Sequence, residues 1–368
     1  MAFCAMMSWS GAIRGQVGTT ETLAAGTVAP DCVVTPTPAT VTGITYGALQ
    51  NGPNITATNV TYQNDFHAVT SVSTDTAGTY LFNGPLANSV TFRRNPDECS
   101  PDNATVFYQY NTYSGSGSGS TSVFAKGDST PTLSEVMLSN DLTQGLRNPF
   151  ANGSSAQDSN IERIDFSLGS YVVQAGDGVV FFDLENIGDH GDGFRIAAYT
   201  ATDGNGTPTA YANTGLLIQP GSLGPDLPTP TGTNATYLRA TTTNGDDLGG
   251  TKSLATLDTN SGSPNSSDLY LVGILIRFSD LGLNVGDTIK GYSLMAGDVA
   301  PATASSLVDW DNGCVYPTDT DAASWGNADF MGFGAQVARP IPEPSTYGMI
   351  LTAFGAALWC WRRSRCRV

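Results

Sequence analysis

Phe194-Arg195-Ile196-Ala197-Ala198-Tyr199, followed shortly by Asn205-Gly206, sets the pattern for most of this chain. Phe194, Ile196 and Ala198 fall at alternate positions, the period of a strand with one buried face. Asn-Gly accepts positive φ and so marks a tight turn. The same pattern gives strands at 79–82, 90–93, 106–110, 161–166, 179–184, 269–278, 288–295 and 331–338, with a second Asn-Gly turn at Asn244-Gly245. Strands separated by Gly, Pro, Asn and Asp at intervals of about 8 to 12 residues predict an all-β domain over 40–340, a β-sandwich or jelly roll rather than alternating β and α units. Helical periodicity is scarce: residues 133–146 predict one short helix, with Ser134 as its cap and Gly145 limiting it. The Ser-Gly repeat at 114–120 predicts an interdomain linker or a long hairpin loop within 114–130, and the similar strands on either side favour the loop. Residues 13–39, with Thr35-Pro36-Thr37-Pro38, predict an extended arm.

The chain has 368 residues, a formal charge of −17, 33 acidic side chains and only 13% charged residues. That charged fraction is about half the globular norm of roughly 25%. Three Lys and thirteen scattered Arg supply no basic face, which argues against nucleic acid as a partner. Six of the acids are Glu and the rest are Asp, the residue of turns and caps rather than helices.

The last 28 residues have a different character. Arg339-Pro340-Ile341-Pro342-Glu343-Pro344 is held extended by its prolines. An apolar run, 347–361, follows, and then a cluster of Arg362, Arg363, Arg365 and Arg367. As a helix rising about 1.5 Å per residue, the run reaches roughly 22 Å, a marginal span of a hydrocarbon core of about 30 Å. The arginines predict a cytoplasmic end, with everything upstream on the far side of that membrane. At the other terminus, residues 1–12 are mostly apolar and close on Ser10-Gly11-Ala12, a small-x-small cleavage pattern. They read as the remnant of an export signal whose basic part lies upstream of the given start. Between 13 and 341 the balance is 12 basic against 32 acidic residues, a net of −20. Three cysteines remain there, Cys32, Cys99 and Cys314; one disulfide plus a leftover thiol is the simplest arrangement, and spacing leaves the pair open.

The tail resembles the PEP-CTERM sorting signal, with Pro342, Glu343 and Pro344 in the motif, a hydrophobic helix after it and a terminal basic cluster. The resemblance implies export, transient anchoring in the inner membrane of a Gram-negative-type cell, and processing by an exosortase. It further implies a cell that makes extracellular polysaccharide. Residues 161–337 are similar to the ectodomains of exosortase-dependent surface proteins. The motifs that carry this are Ile161-Glu162-Arg163-Ile164-Asp165-Phe166, Asp192-Gly193-Phe194-Arg195, Gly286-Asp287-Thr288-Ile289, Leu307-Val308-Asp309-Trp310, Tyr316-Pro317-Thr318 and Met331-Gly332-Phe333-Gly334. This similarity implies a surface protein with no assigned catalytic residues.

Chemistry beyond sorting rests on scattered signals. Loop Asp clusters suit a hard cation such as calcium. The candidates are 189–192, 203–205, 246–247, 319–321 and, first among them, Asp309, Asp311 and Asn312. The competing reading is that these Asp side chains cap turns through their own backbone. Tyr108 and Tyr110 share a strand face and form a candidate glycan platform, with Trp310 and Trp325 as a second one. Two histidines, His67 and His190, leave little room for a serine triad or a zinc site. A secreted glycoside hydrolase would need a carboxylate pair drawn from Glu135, Glu162 or Glu185, for which partly exposed strand-face positions are the plainer expectation. The expected function is a non-enzymatic, structural or adhesive surface protein. Its rivals are a calcium-dependent carbohydrate-binding module and, more distantly, that hydrolase.

Overall fold

The computed structural model describes residues 37–51, 55–57, 60–63, 65–94, 103–109, 112–114, 133–139, 142, 144–152, 161–186, 188–227, 237–243, 254–257, 269–320, 325–331 and 334–341. The first strands are β1 (Ala39–Asn51), β2 (Ile55–Ala57), β3 (Val60–Gln63), β4 (Asp65–Thr74), β5 (Thr79–Leu81), β6 (Ser89–Arg94), β7 (Asn103–Gln109) and β8 (Thr112–Ser114). A helix, α1 (Leu133–Leu138), precedes β9 (Gln144–Arg147), β10 (Ile161–Val172), β11 (Gly178–Asn186), β12 (Phe194–Thr202), β13 (Pro208–Tyr211) and β14 (Leu216–Ile218). Then come β15 (Tyr237–Thr243), β16 (Leu254–Leu257), β17 (Leu269–Arg277), β18 (Thr288–Ala296), a 3-10 turn at Ala304–Leu307 and β19 (Arg339–Pro340).

All pairings are antiparallel. One six-stranded sheet runs β11-β17-β1-β4-β5-β19, and a second runs β13-β12-β18-β10-β6 with β14 also on β12. Smaller sheets join β16-β15-β7-β9 and β2-β3-β8. Alternation decides what lies between the large sheets. Ile164 and Phe166 of β10, Phe194 and Ile196 of β12, and Tyr292 and Leu294 of β18 share one core with Val179 and Phe181 of β11 and Val272, Ile274 and Ile276 of β17. Phe166 stacks on Tyr292 at 5.0 Å, and Phe181 meets both edge-on at 6.4 and 6.2 Å. Phe194 and Phe330 extend the cluster, 5.6 and 6.2 Å from Phe181. Aromatic pairs in such geometries contribute about 0.5–1.5 kcal/mol each beyond the area they bury. This facing of two curled sheets is sandwich-like.

The odd-numbered residues Leu271 and Leu275 of β17, with Val180, Phe182 and Leu184 of β11, enter a second cluster with Val41, Val69, Val72 and Tyr80. Here the first sheet is buried on both faces, which is why 269–276 is apolar almost throughout instead of alternating.

Several expectations meet corrections. Of the helix read at 133–146, only α1 forms, and the latter part is β9, paired with β7. The cause is at Gly145: a Cβ there would lie 2.5 Å from the Phe330 carbonyl oxygen, so strand-to-backbone packing takes the segment that local periodicity assigns to a helix. Ser134 lies inside α1, not ahead of it, and donates to the Val90 carbonyl at 3.0 Å. Residue 39, the end of the expected arm, is buried in β1 opposite Leu275. The strand expected at 331–338 is a run of isolated bridges leading into β19. The Ser-Gly stretch after 114, the expected export remnant at 1–12, residues 13–36 of the expected arm and the whole tail from 342 lie outside the described residues. Among the described residues, no helix is long and apolar enough to cross a membrane.

Candidate functional site

On β11 the face that begins with Val179 and Phe181 continues with Asp183 and Glu185. An alternating strand thus carries two carboxylates into positions where its apolar residues point to the core. Asp183 is 2% exposed and Glu185 8%. The loop ahead of β12 adds Asp192, so that one carboxylate oxygen from each of the three lies within 4.8 Å of the others.

The site is held by backbone donors from three segments. Asp183 Oδ1 accepts the Leu184 and Asp329 amides at 2.9 and 2.7 Å, and its Oδ2 accepts the Asp192 amide at 2.8 Å. The Asn148 amide donates to Asp329 Oδ1 at 3.0 Å, tying in the turn after β9. Burial, joined by the neighbouring Asp192 carboxylate, raises the Asp183 carboxyl to about 7 and the Glu185 carboxyl to about 10. Glu185 is close enough to Asp192 for a carboxyl–carboxylate hydrogen bond, which favours the protonated form of Glu185. The same oxygen set would be neutralised equally well by a hard divalent cation.

Only one residue of the sequence-predicted 189–192 cluster, Asp192, belongs to this site; Asp189 and His190 are exposed, and His190 Nδ1 donates to the Gly224 carbonyl at 3.2 Å. Glu185 and Glu162 are buried, not partly exposed; Glu162 is 4% exposed and accepts from Asn152 Nδ2 at 2.9 Å. Sequence reading passed over Asp183 altogether. Its signal was the phase of β11, in which acids at 183 and 185 stand in register with the core residues at 179 and 181.

The other candidates sit elsewhere. Asp309 and Asp311 are both exposed and close enough to hydrogen-bond, which raises the Asp309 carboxyl. Asn312 faces its own turn, its Oδ1 accepting the Cys314 amide at 3.1 Å. Asp203 likewise caps the β12–β13 turn, with Oδ1 accepting the Asn205 and Thr207 amides at 2.8 Å each. Trp310 lies over two guanidinium groups, Arg93 and Arg163, at 5.1 Å each. Trp325 packs on the backbone at Gly193 and Gly297. Tyr108 belongs to β7, opposite Leu238 of β15 and Gln144 of β9, whereas Tyr110 lies outside the described residues. Cys314 is an exposed free thiol; Cys32 and Cys99 lie outside the described residues, as do Pro342, Glu343, Pro344 and the four tail arginines.

The motifs singled out in the second half converge on a buried staple. Arg163 is fully buried on the outer face of β10, and its Nε and Nη2 donate to Asp165 at 2.7 and 3.2 Å. Its Nη1 donates to the Leu307 and Val308 carbonyls at 2.6 and 3.2 Å. Ser293 Oγ and Arg93 Nε complete the Asp165 carboxylate at 2.6 and 2.9 Å. Tyr316 donates to the Leu307 carbonyl at 2.9 Å. Asn152 links Glu162 to the Pro317 carbonyl and the Thr320 amide. These residues pin the 299–320 loop onto the second sheet. No protein-family model, curated protein or solved structure matches this chain.

Proposed function

We propose that this chain is an exported surface or extracellular-matrix protein of the PEP-CTERM kind. In this reading it is anchored briefly in the inner membrane by a helix at 347–361, processed by an exosortase at Pro342-Glu343-Pro344, and given a structural or adhesive role in an exopolysaccharide layer. The observation that carries the reading is the order of the tail: proline motif, apolar run, arginine cluster, all placed after the last strand of the β-rich domain. The acidic, Lys-poor composition supports it, since a net charge far from zero favours solubility in an external matrix. So does the use of the polar motifs around Arg163 to hold a loop in place. A β-sandwich or jelly-roll ectodomain is the finer form of the fold in this proposal.

The test replaces Pro342, Glu343 and Pro344 together by alanine and follows the protein by fractionation and intact mass. The wild-type chain loses its tail and leaves the inner-membrane fraction, whereas the variant keeps its full mass there. Identical mass and location for the two proteins would overturn the proposal. A second reading, calcium-dependent carbohydrate binding, is favoured by the convergence of Asp183, Glu185 and Asp192. It predicts glycan-array binding that disappears with a chelator.

A further inference from the structure

The end of the described chain is tied down almost residue by residue. Ala335 accepts the Ala87 amide at 2.8 Å, and Gln336 Nε2 donates to the Phe82 and Gly84 carbonyls at 3.0 and 3.2 Å. Val337 pairs both ways, accepting from Gly84 at 3.1 Å and donating to Pro85 at 2.9 Å. Ala338 and Gly178 exchange amide hydrogen bonds at 2.8 and 3.0 Å. Arg339 and Pro340 form β19 against Leu81 and Tyr80. The Arg339 guanidinium reaches Asp177 at 3.7 Å and the Tyr171 hydroxyl at 3.5 Å, and the Pro340 ring lies on Gly176. Finally the Ile341 amide donates to Thr79 at 2.8 Å. The next residue in the sequence is Pro342, the first of the sorting motif, and only five residues separate Ile341 from the apolar run at Tyr347. Fully extended, five residues reach about 17 Å.

A protease or transpeptidase binds its substrate as an extended segment on both sides of the bond it breaks, with that segment's backbone groups free to pair with the enzyme. Here the upstream side of the motif is already paired with the protein's own sheet. We infer that residues 335–341 are a docked strap that withholds the sorting motif, so that processing proceeds on chains whose strap is undocked. This rests on the PEP-CTERM reading of the tail and adds to it a coupling between folding and processing: a domain that has closed its last strand becomes a slower substrate.

Two variants of the full chain test this, both followed by pulse-chase and intact mass in cells that carry the exosortase. Inserting eight Gly/Ser residues between Ile341 and Pro342 leaves β19 docked but frees the motif. Because attack on an opened segment tracks its open population, processing should quicken by about tenfold. The second variant, L81C/R339C, places cysteines at register partners of β5 and β19, whose spacing suits a disulfide. Oxidised, it should be processed at least about tenfold more slowly than when reduced, and the inserted linker should abolish that difference. A linker variant with the wild-type half-time overturns the strap, and so does a disulfide lock that leaves the half-time unchanged. The alanine triple substitution in the linker background separates the two ideas: processing that persists there removes the sorting reading itself.

Discussion

Arg163 shows how much of this molecule depends on single polar residues in apolar surroundings. Its guanidinium is fully buried, yet both edges are occupied, one by Asp165 and the other by the Leu307 and Val308 carbonyls. Asp165 lowers the cost of that burial and holds the guanidinium's proton more firmly than usual. Replacing Arg163 by Met removes the buried partner of Asp165, leaving it Arg93 and Ser293 alone, and takes the donor from the Val308 carbonyl, a change that costs up to about 3–5 kcal/mol. Arg163→Lys keeps the charge but loses the fork, so a smaller loss of about 1–3 kcal/mol is expected. Urea unfolding monitored by far-UV circular dichroism measures both, and equal stability of Arg163→Met and wild type would show that the staple contributes nothing. Gly297 makes a different point, because a Cβ there would lie 1.8 Å from the Trp325 ring. Gly297→Ala therefore forces the indole off the β18 end, with an expected loss of about 1–3 kcal/mol and a shift in tryptophan emission.

At the scale of elements, β11 combines the aromatic core and the acidic cluster on one face. Phe181 touches Phe166, Phe194, Tyr292 and Phe330, so Phe181→Ala should cost about 3–5 kcal/mol in chemical denaturation. The acidic end of the same face makes stability depend on pH with a definite sign. Asp183 and Glu185 hold their protons more tightly folded than unfolded, at about 7 and about 10 against ordinary values of 3.8 and 4.5. Folding therefore takes up protons between those limits, and stability falls as pH rises from about 4 toward 10. Thermal unfolding across that range should show a declining midpoint, and Glu185→Gln should flatten the decline above neutral pH. If calcium occupies the cluster instead, millimolar calcium raises the midpoint at pH 8 in the wild type and not in Asp183→Asn. A strand at 179–184 was legible from sequence, but the meeting of Asp183 with Glu185 and the membership of Asp192 were not. Asp192 comes from a loop that only the turn after β11 brings back.

For the whole molecule, the C-terminal segment closes the fold as well as leading to the tail. Residues 335–341 bridge β5, β11 and the loop before β6, and β11 is an edge strand of its sheet. A chain ending after Gly334 loses at least six backbone hydrogen bonds. At about 0.5–1.5 kcal/mol each it should lose at least about 3 kcal/mol of stability. A chain ending after Ile341 keeps those bonds and should unfold at the same midpoint as the full chain. Differential scanning calorimetry of the two truncations makes the comparison, and equal midpoints would show that the segment is dispensable.

The period-two pattern, the turn residues and the ordered tail are properties of neighbours along the chain. They were therefore enough to give an all-β, nearly helix-free domain and the sorting expectation for its end. Distant partners set the rest: Gly145 against the Phe330 carbonyl put the end of an expected helix into β9, and both-sided burial of β17 came in part from Val41, Val69 and Val72, more than a hundred positions away. It also chose Asp183, Glu185 and Asp192 as the carboxylates that meet, and left Asp309 and Asp311 in solvent. Alternation fixes which face a side chain takes, whereas only the closing of one sheet over the other determines which of those faces lose water.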